Sequence, residues 1–127
     1  MLPSQTRVPK SVLIVDESED ARQVLRTVLS RRGIEILEAS AGKDGLQLAR
    51  DLHPDLIVFD ADGESADDAI CAAFEDHAHG GETPVIFLGS VRRPTTATGD
   101  CVAKPYQYGP LIHKIEELLA EPNEQRR

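Results

Sequence analysis

Carboxylates and one lysine stand at the tips of apolar runs in this chain. Val12-Leu13-Ile14-Val15 leads into Asp16-Glu17, Leu56-Ile57-Val58-Phe59 into Asp60, and Cys101-Val102-Ala103 into Lys104-Pro105. A fourth run, Pro84 to Leu88, leads into Gly89-Ser90. Two carboxylates about 4 Å apart repel by roughly 4 kcal/mol at an effective dielectric near 20, so a pocket gathering Asp16, Glu17 and Asp60 calls for a proton or a cation. Mg2+ suits such a pocket, because it takes hard oxygen ligands and shares them with phosphate. With the charge around Asp60 lowered, a phosphoryl donor can approach a carboxylate that would otherwise repel it. An aspartate nucleophile then forms an acyl phosphate, and Lys104 can pair with its oxygens as a point charge.

These residues can meet only if the apolar runs lie side by side. Short β-rich runs bounded by turn residues read as buried strands of a parallel sheet, and such sheets bind ligands at the carboxyl ends of their strands. Helices must then cross between the strands. Ser18 can cap the first, with Glu19 and Asp20 at its positive end. Ala21, Val24, Leu25, Val28 and Leu29 supply its apolar stripe, and Gly33 its stop.

Ile34 to Ala39 reads as the second strand. Ser40 is expected to cap a helix with Leu46, Ala49 and Leu52 inward, ended by His53-Pro54. After a third strand at Asp55 to Phe59, Ser65 and Asp68 make a capping box for a helix carrying Ala69, Ile70, Ala73 and Phe74, broken by Gly80-Gly81. The fourth strand is Val85 to Leu88. The next link, Val91 to Asp100, has Pro94, Gly99 and three threonines with no apolar period, and parallel crossovers usually carry a helix. A full helix is therefore not expected there. Gly109 and Pro110 open a last helix with Leu111, Ile112, Ile115, Leu118 and Leu119 as its stripe. The alternation predicts an α/β fold: a doubly wound five-stranded parallel sheet in three α-β-α layers.

Bulk composition narrows the function. A chain of 127 residues, 40% hydrophobic, has room for one core. Residues 1–10 read as a flexible leader, 11–121 as the domain and 122–127 as a polar tail. A net charge of −8 argues against a nucleic-acid or anionic-membrane partner, since both need clustered basic surface. No apolar stretch approaches the ~20 residues of a membrane span, and residues 1–10 lack a signal-peptide core. A cytoplasmic location is the expectation. Cys71 and Cys101 match no metal spacing and read as buried small apolar side chains. Glu75-Asp76-His77-Ala78-His79 reads as a solvated helix end and Arg92-Arg93 as a solvated pair.

At this point the chain resembles a receiver domain of two-component response regulators, with chemotaxis receivers as the nearest type. The likeness rests on Asp16-Glu17, the Pro54-to-Asp60 segment, Pro84-Val85-Ile86 and Lys104-Pro105 in order, and covers about residues 11 to 121. The resemblance implies a flavodoxin-like fold and no classical enzyme activity. It implies that Asp60 accepts a phosphoryl group from a histidine kinase or phosphotransfer protein. It further implies Mg2+ held by Asp16, Glu17, Asp60 and the backbone carbonyl of Asp62, with Lys104 on the phosphoryl oxygens and a Lys104-Pro105 bond that is often cis in the family. The expected function is a stand-alone phosphorelay receiver that signals through contacts with a downstream protein.

Departures from the family pattern bear on how such a domain would signal. Gly89 stands where the family places Thr or Ser at the end of strand four. Ser90, one residue later, is a candidate phosphoryl contact only if the strand end bends, since neighbouring strand residues face opposite ways. The family's switching aromatic falls at Cys101, Glu64 replaces a common proline, and the family's fourth helix is missing or reduced. A homodimer, if formed, is therefore expected to use a non-standard face. These losses support a second reading, a degenerate receiver that binds partners independently of phosphorylation. A third reading is a small haloacid-dehalogenase-like phosphohydrolase, suggested by Asp60-Ala61-Asp62-Gly63. That family, however, carries its Asp-x-Asp on the first strand.

Overall fold

The computed structural model describes residues 9–63, 66–80, 83–89, 99–102 and 107–120. Strands β1 (Ser11–Val15), β2 (Glu35–Ala39), β3 (Leu56–Asp60), β4 (Val85–Leu88) and β5 (Gly99–Val102) form one sheet in the order β2-β1-β3-β4-β5. Every pairing is parallel. Helices α1 (Glu19–Arg31), α2 (Gly42–Leu52), α3 (Asp68–His79) and α4 (Tyr108–Ala120) cover its faces.

Both faces of the three inner strands β1, β3 and β4 are buried, and this explains their unbroken apolar runs. One layer joins Val12, Ile14, Leu56, Val58, Ile86 and Leu88 to Leu25 and Leu29 of α1 and to Leu111, Ile112, Ile115 and Leu119 of α4. The other joins Leu13, Val15, Ile57, Phe59, Val85 and Phe87 to Leu46 and Ala49 of α2 and Cys71, Phe74 and Ala78 of α3. Phe59 stacks on Phe74 with centroids 4.3 Å apart and meets Phe87 edge-on at 5.9 Å. Burying such a ring stabilises by about 1.5–3 kcal/mol. The expected doubly wound, flavodoxin-like architecture is thus observed.

Local signals explain most element ends. The Ser18 hydroxyl accepts the Ala21 amide at 3.1 Å, as expected of a cap. At the other end of α1, Gly33 takes φ +82° while its own amide bonds Ser30 O and that of Ile34 bonds Leu29 O. That is a Schellman closure, which needs a residue tolerant of the left-handed region. His53 closes α2 in the same region at φ 49°. Beside α1, Glu38 of β2 bridges Arg22 and Arg26 at 3.1 and 2.6 Å. Its hydrogen bond to Arg26 is the first cause holding that guanidinium above its ordinary pKa.

Several expectations need correction. Ser40 does not cap α2: Ala41 holds the N-cap position without a side-chain hydrogen bond. Asp67, rather than a Ser65–Asp68 box, caps α3, its carboxylate accepting the Ile70 amide at 2.9 Å. Leu52 is 51% exposed rather than inward, and Ala69 is exposed while Cys71 takes the buried position. β5 begins at Gly99, two residues before the expected Cys101. The expected loss of the family's fourth helix, Ser65, Arg92-Arg93, the leader through residue 8 and the tail from residue 121 lie outside the described residues.

Candidate functional site at the carboxyl ends of β1 and β3

β1 pairs with β2 on one side and β3 on the other, so the crossovers leaving β1 and β3 run to opposite faces. Open α/β sheets form their binding crevice at such a switch point. Asp16 follows Val15, Asp60 ends β3, and the ladder pairs Val15 with Phe59. The two acids therefore sit side by side on adjacent strands and share strand parity, which sets them toward the same face. Both are buried, at 5% and 8% exposure, and they are the only acidic residues buried among the described residues.

Backbone amides orient both carboxylates. Asp16 Oδ1 accepts the Ser18 amide at 2.9 Å, so the residue that caps α1 also anchors the first acid. Asp60 Oδ1 accepts the Asp62 amide at 3.1 Å. The strand ends are extended by one bond each, Asp16 N to Ala39 O at 3.0 Å and Ala61 N to Leu88 O at 2.8 Å. Each acid thus occupies the last position that the ladders still hold rigidly.

Two glycines admit two further carboxylates. A β-carbon at Gly63 would lie 3.1 Å from Glu17 Oε2, so Glu17 reaches over the turn that follows β3. Gly89, just past β4, has φ +149°, and a β-carbon there would lie 2.7 Å from Asp62 Oδ1 and 2.9 Å from its Cγ. The sequence points to the backbone carbonyl of Asp62 but not to where its side chain packs. The available signal was a glycine in place of a hydroxyl residue, because glycine often marks a close approach.

Asp16, Glu17, Asp60 and Asp62 are thus brought to one end of the sheet. Ser90 and Lys104, the remaining candidate contacts, and Pro105 lie outside the described residues, as does the Cys101 side chain. Among the described residues no three His, Cys, Asp or Glu side chains form a cluster able to hold a metal ion. Mg2+ asks for less: it commonly binds through one or two carboxylates and keeps several waters or phosphate oxygens. The adjacent Asp16 and Asp60 carboxylates fit that habit and do not fit a closed cage. No helix among the described residues is long and apolar enough to cross a membrane.

Comparison with known proteins agrees with this architecture. The family model of the response regulator receiver domain matches residues 12–116. The chain belongs to that family. It is 32% identical over 115 residues to the regulatory protein AtoC of Escherichia coli K12, covering 85% of this chain and 25% of AtoC. It is 39% identical over 51 residues to the polar-differentiation response regulator DivK of Brucella ovis, covering 40% of this chain and 42% of DivK. The matched segments thus span a quarter of AtoC and less than half of DivK. In fold it is similar to the chemotaxis response regulator CheY4 of Vibrio cholerae, with TM-score 0.71 and 23% identity over 87% of this chain and 99% of that one. A two-component response regulator from Clostridium difficile gives TM-score 0.70 and 20% identity, covering 87% and 95%. Receiver domains are signalling domains rather than classical enzymes, and that class holds for this chain.

Proposed function

We propose that this receiver accepts a phosphoryl group on Asp60 and passes the signal on through protein contacts. The observation that carries the reading is the adjacency of buried Asp16 and Asp60 at the switch point. The donor is a phosphohistidine on a histidine kinase or phosphotransfer protein. A carboxylate oxygen of Asp60 bonds to phosphorus as the P–N bond breaks, and the imidazole leaves with the electron pair and takes up a proton. The Asp62 amide holds Oδ1 of Asp60 in place, and burial keeps bulk water from competing for the carboxylate. Asp16 and Asp60, with Glu17 and the Asp62 carbonyl, are the groups that would hold Mg2+. When bound, the ion supplies the positive charge that lets a phosphoryl anion approach. Lys104 and Ser90 lie outside the described residues; the family resemblance supports Lys104 as the cation for the phosphoryl oxygens and leaves Ser90 as the hydroxyl candidate.

Phosphotransfer followed by intact mass tests this reading. The wild-type chain gains one phosphoryl group from acetyl phosphate or a phosphorylated donor when Mg2+ is present, and Asp60→Asn gains none. Equal behaviour of the two proteins overturns it.

A second reading has its own support. Gly89, with its positive φ and no hydroxyl, removes a contact through which receivers of this family report phosphorylation. A receiver that binds its partner regardless of phosphorylation fits that feature. Its signature is partner binding that survives Asp60→Ala without loss of affinity.

A further inference from the structure

Asp16, the first acid of the site, is anchored by two stretches of chain that are distant in sequence. Its amide donates to Ala39 O at 3.0 Å, at the end of β2, and its Oδ1 accepts the Ser18 amide at 2.9 Å, at the start of α1. The neighbours of these two anchors, Glu38 and Glu19, belong to a closed ring of charges. Arg22 reaches Glu19 Oε1 at 2.9 Å and Glu38 Oε1 at 3.1 Å, while Arg26 reaches Glu38 Oε2 at 2.6 Å and Glu19 Oε2 at 3.8 Å. Cation and anion alternate around this ring. Arg22 is its most enclosed corner, with 15% of its side chain exposed against 62% for Glu19. Its backbone amide also donates to Ser18 O at 3.1 Å, so main chain and side chain of one residue converge on the Asp16 anchors.

We infer that Arg22 is a positioning residue of the cation site: by clasping Glu19 and Glu38 together it fixes the start of α1 against the end of β2, and so fixes Asp16 between them. The inference rests on the reading above that Asp16 and Asp60 hold Mg2+. Arginine suits the task, because its planar fork holds two carboxylates in set directions where a lysine offers only a point charge. Charges joined in a network keep more of their worth than an isolated surface pair, and partial burial limits the screening of this one. Mg2+ demands near-octahedral geometry. A ligand whose two anchors drift apart therefore loses affinity even with its own charge intact. Groups that orient a metal ligand by direct contact change affinity by about 10–100-fold when removed. Arg22 acts one residue further out, so a smaller effect follows.

The test is Mg2+ titration of the full chain, followed by the Ser18 amide resonance, with thermal unfolding in chelator measured alongside. Arg22→Gln separates two effects by their sign. A purely electrostatic influence would tighten Mg2+ binding, because a like charge has left the neighbourhood. Positioning predicts the opposite, binding about two- to fivefold weaker. Arg22→Lys keeps the charge but not the fork and should recover only part of that loss. Arg26→Gln opens the ring at a more exposed corner, 37% against 15%. It too should weaken binding, and it carries the test if Arg22→Gln does not fold. Arg32→Gln breaks the exposed ion pair from the end of α1 to Glu116 of α4 and should leave Mg2+ affinity unchanged, which sets positioning apart from a general loss of stability. Unchanged or tighter binding by the ring variants, or equal weakening by Arg32→Gln, overturns the inference and leaves the Mg2+ reading standing. A wild-type chain that binds no Mg2+ overturns both.

Discussion

Gly45 of α2 lies so close to Val15 of β1 that a β-carbon there would come within 2.6 Å of Val15 Cγ2 and 3.0 Å of Cγ1. Val15 is 2% exposed and directly precedes Asp16, so this contact sets how near α2 can approach the strand end that carries the first acid. β-branched valine has little rotamer freedom with which to give way. A helix-interior glycine, ordinarily a liability, here permits the close packing of helix on sheet.

Gly45→Ala should therefore destabilise despite its better helix propensity. The propensity gain is about 1 kcal/mol, and overpacking costs about 1–3 kcal/mol. Urea denaturation should show a lower midpoint with unchanged slope. An unchanged or raised midpoint would mean that the contact relaxes freely.

Gly89→Ala is expected to cost about 1–3 kcal/mol, since it combines a positive φ with a clash against Asp62. Asp62→Ala in the same chain should recover part of that loss, because it removes the clash and leaves the backbone strain. A double-mutant cycle on thermal unfolding measures the difference. Strict additivity would show that the two residues do not meet.

The paired carboxylates should make the site weaken the fold in the absence of divalent cations. Asp60→Asn retains an acceptor for the Asp62 amide and removes one of two neighbouring buried charges. It should raise stability by about 1 kcal/mol in chelator-treated buffer. Millimolar Mg2+ should close the gap by stabilising the wild type. A gap that ignores Mg2+ counts against the ion's lodging between these acids.

At the opposite end of the same two strands, Asp55 Oδ2 accepts the Ser11 amide at 2.8 Å and faces its hydroxyl at 3.4 Å. Asp55→Ala leaves the amide without that partner and should cost about 1–2 kcal/mol. The proposed phosphoacceptor lies a strand length away, so phosphotransfer to Asp60 should persist in this variant. Loss of transfer in a folded Asp55→Ala protein would refute that separation.

The fold was legible because both faces of the inner strands are buried, which writes those strands as unbroken apolar runs and helices as apolar stripes with caps. The Asp16–Asp60 pair was legible for the same reason: acids at the ends of such runs have one place to gather. Cap choice was less so. Asp67 and Ser65 are both chemically able to cap a helix, and Ala41 holds its position by backbone alone, so residue type could not decide. Leu52 fits the periodicity of α2 yet falls at its last turn, beyond the reach of the sheet. The Asp62–Gly89 contact was hidden for a different reason. Residue order shows that a glycine replaces a hydroxyl residue, but the side chain that moves into the space belongs to a loop after another strand.

The strand order has a consequence for how the chain acquires its structure. β1 cannot complete its pairing until β3 arrives, and the contact that anchors this step, Ser11 to Asp55, joins residues 44 apart in sequence. Long-range parallel pairing is a slow step in folding. In this molecule the step also closes two like charges at the far end of the same ladder. Refolding of the wild type is therefore expected to quicken with ionic strength more than that of Asp60→Asn, which stopped-flow measurements at several salt concentrations would check.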